Sequence, residues 1–202
     1  MASLQGLFTL LRNNPKYRDL LDKFKIGVSP TRVSVVEAAI PCLLSCLFDE
    51  LKHPVLIITS KPDRVKDLAE QMSLWLTEKQ LLPYPHPEAL PYQRLTLDRT
   101  TELETVRVLS TLKGRPEKYT TTTIISVDAL LQLLPDPTMF SKGWLTVAVD
   151  TEIPPLDLVS SLDKLGYRFE HLVETPGTFS HRGGIIDVFP VSEDEPIRLE
   201  YF

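Results

Sequence analysis

The sequence predicts an α/β protein: an open parallel-sheet domain over residues 1–135, then a small α+β domain with an antiparallel sheet over residues 136–202. Three observations carry this. Strand-length aliphatic runs alternate with helically spaced apolar residues through the first two thirds of the chain, the grammar of βαβ units. Pro135-Asp136-Pro137 then forces a turn or linker, and short strands separated by glycine turns follow it. Finally, 43% hydrophobic and 24% charged residues are globular values, while 17 prolines in 202 residues, about 8% against roughly 5% in ordinary chains, call for many short elements.

In the first domain, Ser29-Pro30-Thr31 can cap a helix continued by Val33, Val36, Ile40, Leu43, Leu44, Leu47 and Leu51, which Pro41 is expected to kink or split near Ile40. Pro54-Val55-Leu56-Ile57-Ile58-Thr59 reads as a strand buried on both faces of a parallel sheet. Residues 62–78 carry Val65, Leu68, Met72 and Leu76 on one side of a helix that Ser60 could cap. The proline-rich tract 83–92 cannot be helical and is expected as an extended surface loop. A helix over 100–112, a strand over 122–126 and a short helix through Leu134 complete a sheet expected to carry helices on both faces.

In the second domain, residues 144–149 read as a strand, 155–165 as a helix closed by Gly166, and 167–174 as a strand before the turn Thr175-Pro176-Gly177. Strands over 178–182, 185–189 and 197–202 follow, separated by Gly183-Gly184 and the acidic loop 192–196. The chain stops inside a strand pattern, so this domain is expected to be truncated and the sequence to be part of a longer one.

Charge and chemistry narrow the function. A net charge of −5 argues against a large contact with phosphates, although Lys61, Arg64 and Lys66 could touch DNA weakly or form a solvated helix face. No stretch approaches the roughly 18 to 20 apolar residues of a membrane span and no signal peptide is evident, so a cytoplasmic protein without membrane contact is expected. Cys42 and Cys46 are too few and too close for a disulfide framework and read as core residues. Four histidines, His53, His86, His171 and His181, show no metal-ligand spacing, and Asp187 reads as a paired carboxylate more readily than as a base. Neither cofactor nor catalytic residue is expected.

A phosphate-binding loop needs Gly, four residues, then Gly-Lys-Ser/Thr. Gly27-Val28-Ser29-Pro30-Thr31-Arg32-Val33-Ser34 begins and ends correctly, but Arg32 stands at the second glycine, Val33 at the lysine, and Pro30 removes an amide donor. From the residues alone the segment is a degenerate phosphate loop or an ordinary loop entering a helix; under either reading, ATP binding is not expected.

Four features in order resemble one family: Leu90-Pro91-Tyr92-Gln93-Arg94, Gly166-Tyr167-Arg168, the run from Pro176 through His181-Arg182-Gly183-Gly184-Ile185-Ile186-Asp187 to Pro190, and Pro196-Ile197-Arg198-Leu199-Glu200-Tyr201-Phe202. The order, from about Gly27 to Phe202, is similar to the N-terminal UvrB-homology module of the bacterial transcription-repair coupling factor (Mfd) family. The resemblance implies a degenerate helicase-type (RecA-like) first domain, like UvrB domain 1a, and a second domain like UvrB domain 2 that binds the damage-recognition protein UvrA in nucleotide excision repair. Arg182, Arg198 and Phe202 match the family's contact positions, and Arg168 is a further candidate; arginine forks beside an aromatic suit an interface hot spot. Local readings compete: Arg168 could pair with Glu170 and Glu174, and Phe202 could belong to the core. The resemblance also implies that RNA polymerase, DNA and ATP are bound by other domains of a full-length factor, whose C-terminal domain masks this surface intramolecularly. The competing function is an ATP-dependent DNA helicase domain of UvrB type, against which the missing loop lysine counts.

Overall fold

The protein is described by a computed structural model covering residues 4–27, 29–77, 80–86, 99–114, 120–150 and 152–202. Two compact units divide it: Met1–Thr96 with Leu112–Leu131, and Leu97–Thr111 with Gln132–Phe202. The motif at residues 90–94 and most of the proline tract, residues 87–92, lie outside the described residues.

The first unit holds helices α1 (Phe8–Arg12), α2 (Pro15–Lys25), α3 (Ile40–Leu51) and α4 (Asp63–Met72), and strands β1 (Val55–Thr59), β2 (Leu81–Pro83) and β3 (Thr122–Ser126). The strands form a parallel sheet in the order β1-β3-β2, with Ile57 opposite Ile124 and Leu81 opposite Thr122. Phe48, Val65, Leu68, Met72, Leu76, Leu81 and Ile124 make the core between this sheet, α3 and α4. A second cluster, Phe8, Tyr17, Leu20, Leu21, Cys46 and Leu47, packs α1 and α2 on α3. The parallel sheet expected from the alternation of elements is therefore present, with Cys46 in the core and Cys42 half-buried.

Several expectations are corrected. The helix expected from residue 30 begins only at Ile40, after a 3-10 turn at Glu37–Ala39, and residues 31–36 are non-helical, with Val33 and Val36 exposed. Pro41 does not kink the helix but sits in its first turn, where its missing N–H has no partner to lose. The aliphatic strand β1 is an edge strand with Leu56 55% and Ile58 50% exposed, whereas threonine-rich β3 is central and buried along its whole length. Burial here follows place in the sheet, not side-chain polarity. Helix α4 ends at Met72 and runs on into turns, and its N-cap is Pro62, without a side-chain cap, in place of Ser60. The proline tract opens as sheet: Pro83 lies opposite Ile124 in edge strand β2, and the buried Tyr84 donates its N–H to the Ile124 carbonyl at 2.8 Å. An edge strand tolerates proline because one side of its ladder is unused.

Helix α5 (Arg99–Gly114) precedes β3, and α6 (Val127–Leu130) follows it, capped by the Ser126 hydroxyl accepting from the Ala129 N–H. Pro135-Asp136-Pro137 is a helix start as well as a break, since the Asp136 carboxylate accepts from the Thr138 and Met139 N–H groups and opens α7 (Pro137–Lys142).

The second unit carries α8 (Pro155–Lys164) against a sheet in the order β4 (Arg168–Phe169), β5 (Thr178–Arg182), β6 (Ile185–Phe189), β7 (Ile197–Glu200). Leu158 and Leu162 of α8 pack on Phe179, Ile186 and Val188, with Leu199 and Tyr201 at the margin. The sheet is mixed, not antiparallel throughout: β5-β6-β7 are antiparallel and β4 runs parallel to β5. The strand expected over 167–174 is two residues long, because the chain leaves the ladder after Glu170. Residues 144–149 form no strand; Trp144 and Val149 are exposed, and no ladder among the described residues includes this segment.

Candidate partner-binding surface

Alternation along β5, β6 and β7 sorts the second unit into two faces. Phe179, Ile186, Val188 and Leu199 point to α8 and are the core. The register places Arg168 beside Thr178, Ser180 beside Asp187 beside Arg198, and Arg182 beside Ile185 beside Glu200, all on the other face. Thus the three arginines singled out in the sequence share one face, Arg182 and Arg198 in neighbouring rows and Arg168 toward the opposite end.

The turn at Gly183-Gly184 makes this arrangement possible. Gly183 has φ +60°, a left-handed conformation that favours glycine. At Gly184 a Cβ would lie 3.2 Å from the Tyr201 carbonyl oxygen, and the Gly184 carbonyl accepts from the Tyr201 N–H at 2.8 Å. A side chain at 184 would push away the end of β7, and Phe202 with it.

Each arginine has its own environment. Arg198 donates from Nε to Asp187 Oδ1 at 2.6 Å and from Nη2 to Asp187 Oδ2 at 2.9 Å, with its side chain 60% exposed. This fork, opposed by partial burial, holds the Asp187 carboxyl below the usual carboxylate range, and the Arg182 charge assists. The same hydrogen bond raises the Arg198 guanidinium. Arg182 donates from Nη2 to the backbone carbonyl of His171 in the loop that follows β4. Arg168 is exposed and has no ion pair with Glu170 or Glu174 among the described residues. Phe202 is fully exposed, not core.

Beside this array is a shallow hollow of about 260 Å3 lined by Leu172, Val173, Asp187, Pro196, Ile197 and Arg198. It falls below the roughly 300 to 1,000 Å3 of small-molecule sites and has room for one or two side chains. Sequence reasoning missed its apolar lining, because Leu172 and Val173 read as part of a strand that the chain does not form. The only sequence signal is proline and isoleucine leading directly into the Arg-Leu-Glu strand.

The candidate phosphate loop is elsewhere, in the first unit. Gly27 ends the turn after α2 with φ +74°, while Arg32, Val33 and Ser34 lie exposed in the non-helical run before α3. The described residues contain no cluster of three or more His, Cys, Asp or Glu side chains able to hold a metal ion, and no helix long and apolar enough to cross a membrane.

Residues 145–202, which include this whole array, match the family model of the UvrB interaction domain. Over nearly its full length the chain is similar to proteins named transcription-repair-coupling factor. It is 22% identical over 200 residues to that of Bacillus subtilis (98% of this chain, 17% of the relative). The values are 28% over 198 residues for Myxococcus xanthus (95% and 16%) and 26% over 198 residues for Staphylococcus aureus (97% and 16%). The chain thus spans about one sixth of the length of these relatives.

Proposed function

We propose that this UvrB-like module of a transcription-repair coupling factor is a non-catalytic adaptor in DNA repair, which recruits UvrA through the exposed face of its second domain. The observation that carries the reading is that the segment matching the UvrB interaction domain is the one presenting Arg168, Arg182, Arg198 and the exposed Phe202. Arginine forks and an unpacked aromatic on one face have the composition of a hot spot. Residues 1–135 would be the degenerate helicase-type (RecA-like) domain and 136–202 the UvrA-binding domain, with which the compact units group Leu97–Thr111 as well.

The phosphate-loop segment supports the non-catalytic reading. A working loop wraps phosphate with backbone amides and delivers it to a helix N-terminus immediately after its Lys-Ser/Thr. Here Val33 stands at the lysine, Arg32 brings a side chain to the second glycine, and after Ser34 the chain stays non-helical until Glu37. These features support a protein that does not bind ATP through Gly27, Arg32, Val33 and Ser34. In the full-length cytoplasmic factor, contacts to DNA, ATP and RNA polymerase would be made by other domains, and a C-terminal domain would cover the UvrA-binding face.

Calorimetry of the purified protein with UvrA, beside an Arg182→Ala/Arg198→Ala double variant and an ATP titration, tests the proposal. Binding lost in the double variant, with no heat from ATP, is the expected result. Absence of UvrA binding together with clear ATP affinity would replace it with the helicase reading.

A further inference from the structure

Both central arginines of the proposed surface are already engaged inside the protein. Arg198 spends Nε and Nη2 on the two oxygens of Asp187, which leaves Nη1 without a bond among the described residues. Arg182 donates to the His171 carbonyl, and so staples the loop after β4 across the outer face of the sheet. Thr178, whose hydroxyl donates to the Thr175 carbonyl, and Ser180, beside Asp187, are 3% exposed although they belong to the solvent-side face. The loop is therefore tied to β5 at both ends of the strand, and Leu172 and Val173 within it form one wall of the hollow. Pro196, just before β7, forms the facing wall, and the Asp187–Arg198 pair closes one end; Ile197, opposite the core residue Val188, borders the hollow from a position on the α8 side.

We infer that this hollow is the apolar anchor site of the partner surface, taking one aliphatic side chain of the partner with a carboxylate beside it, and that Arg182 shapes the hollow through the His171 carbonyl. The inference deepens the adaptor reading and rests on it. Leu172 is 65% exposed, Pro196 is exposed and Val173 half-buried, so three apolar residues stand around a space with room for one or two side chains. Burying an aliphatic group there removes apolar surface on both partners from water. The charge at the rim selects the neighbour: Asp187 is neutralised by its fork with Arg198, and the unengaged Nη1 can donate to a second carboxylate. An interface core of this kind, apolar at the centre and charge-paired at its edge, concentrates binding energy in few residues.

The two arginines then act differently. Arg198 touches the partner, whereas Arg182 is a positioning residue whose loss releases Leu172 and Val173. Calorimetry of the full chain with UvrA separates these roles, with Leu172→Ala, Val173→Ala and Leu172→Met beside Arg182→Ala and the Arg182→Ala/Leu172→Ala pair. Leu172→Ala and Val173→Ala should each weaken binding by about tenfold, Leu172→Met should restore most of it, and thermal unfolding should be little changed since neither side chain belongs to the core. The Arg182→Ala/Leu172→Ala pair should bind no more weakly than Arg182→Ala alone, and Arg182→Ala should speed amide exchange at residues 171–175. Wild-type affinity in both Leu172→Ala and Val173→Ala, while Arg198→Ala binds weakly, would overturn the hollow and leave the adaptor standing. A wild-type protein that does not bind UvrA would overturn both.

Discussion

Arg198 and Asp187 face each other across β7 and β6 as a forked pair, Nε to Oδ1 at 2.6 Å and Nη2 to Oδ2 at 2.9 Å. The Tyr201 N–H bond to the Gly184 carbonyl marks 184/201 as a hydrogen-bonded pair, so alternation makes 187/198 a non-hydrogen-bonded pair, the kind whose side chains approach most closely. Only a planar guanidinium fits both carboxylate oxygens at once. Arg198→Lys should therefore fail to restore what Arg198→Ala removes: both should weaken UvrA binding by tenfold or more with little change in melting temperature, as read by calorimetry and thermal unfolding.

The same pair sets a pH dependence. Because Asp187 is held below its ordinary value in the folded protein, chiefly by the Arg198 hydrogen bond, it stabilises the fold at pH values above the unfolded carboxylate value of about 3.9. That contribution is lost as pH falls through the lower, folded value. Denaturant midpoints taken from about pH 7 to about pH 2 should show the wild-type advantage over Asp187→Asn shrinking below about pH 4.

Ile186 and Leu158 are 0% and 1% exposed and meet at the centre of the second unit's core. Truncating either to Ala removes buried methyl groups and leaves a cavity in a small core, so each should cost about 2–5 kcal/mol in equilibrium unfolding. UvrA binding should fall in proportion to the unfolded fraction, unlike the surface variants, whose binding falls while the fold persists.

Gly177 closes the turn into β5 with φ +78°, and a Cβ there would lie 3.1 Å from Leu103 Cδ2 and 3.5 Å from Arg99 Nη2. Gly177→Ala combines left-handed backbone strain with that crowding and should cost about 1–3 kcal/mol. Thermal unfolding is the check, at about 4–8 °C per kcal/mol for a domain of this size.

What the sequence made legible was local chemistry. Strand β3, helix α8 with its Gly166 terminator, and the β5 to β7 strands are where their residues predict, because propensity, period and turn glycines agree there. Legibility failed where neighbours decide. Residues 144–149 have a strand pattern without a partner strand among the described residues, and Leu56 and Ile58 look buried by composition yet stand at an edge. At the candidate surface, the identities of Arg182 and Arg198 were readable. Their engagement with the His171 carbonyl and Asp187 was not, since it depends on a loop path and a strand register set by residues far apart in sequence.

Helix α5 holds a lesson about cutting the molecule. Arg99 Nη2 lies 3.2 Å from both the Gly166 and Gly177 carbonyl oxygens, and Arg107 meets Asp194 at 2.5 Å, so the first turns of this helix stitch together the loops of the β4–β7 sheet. These stitches come from Arg99 and Arg107, well upstream of position 145, where the recognisable family segment begins. The evolutionary boundary and the folding boundary are thus different places: a piece excised at 145 would keep every residue of the proposed interface and lose the ties that tension the loops behind it.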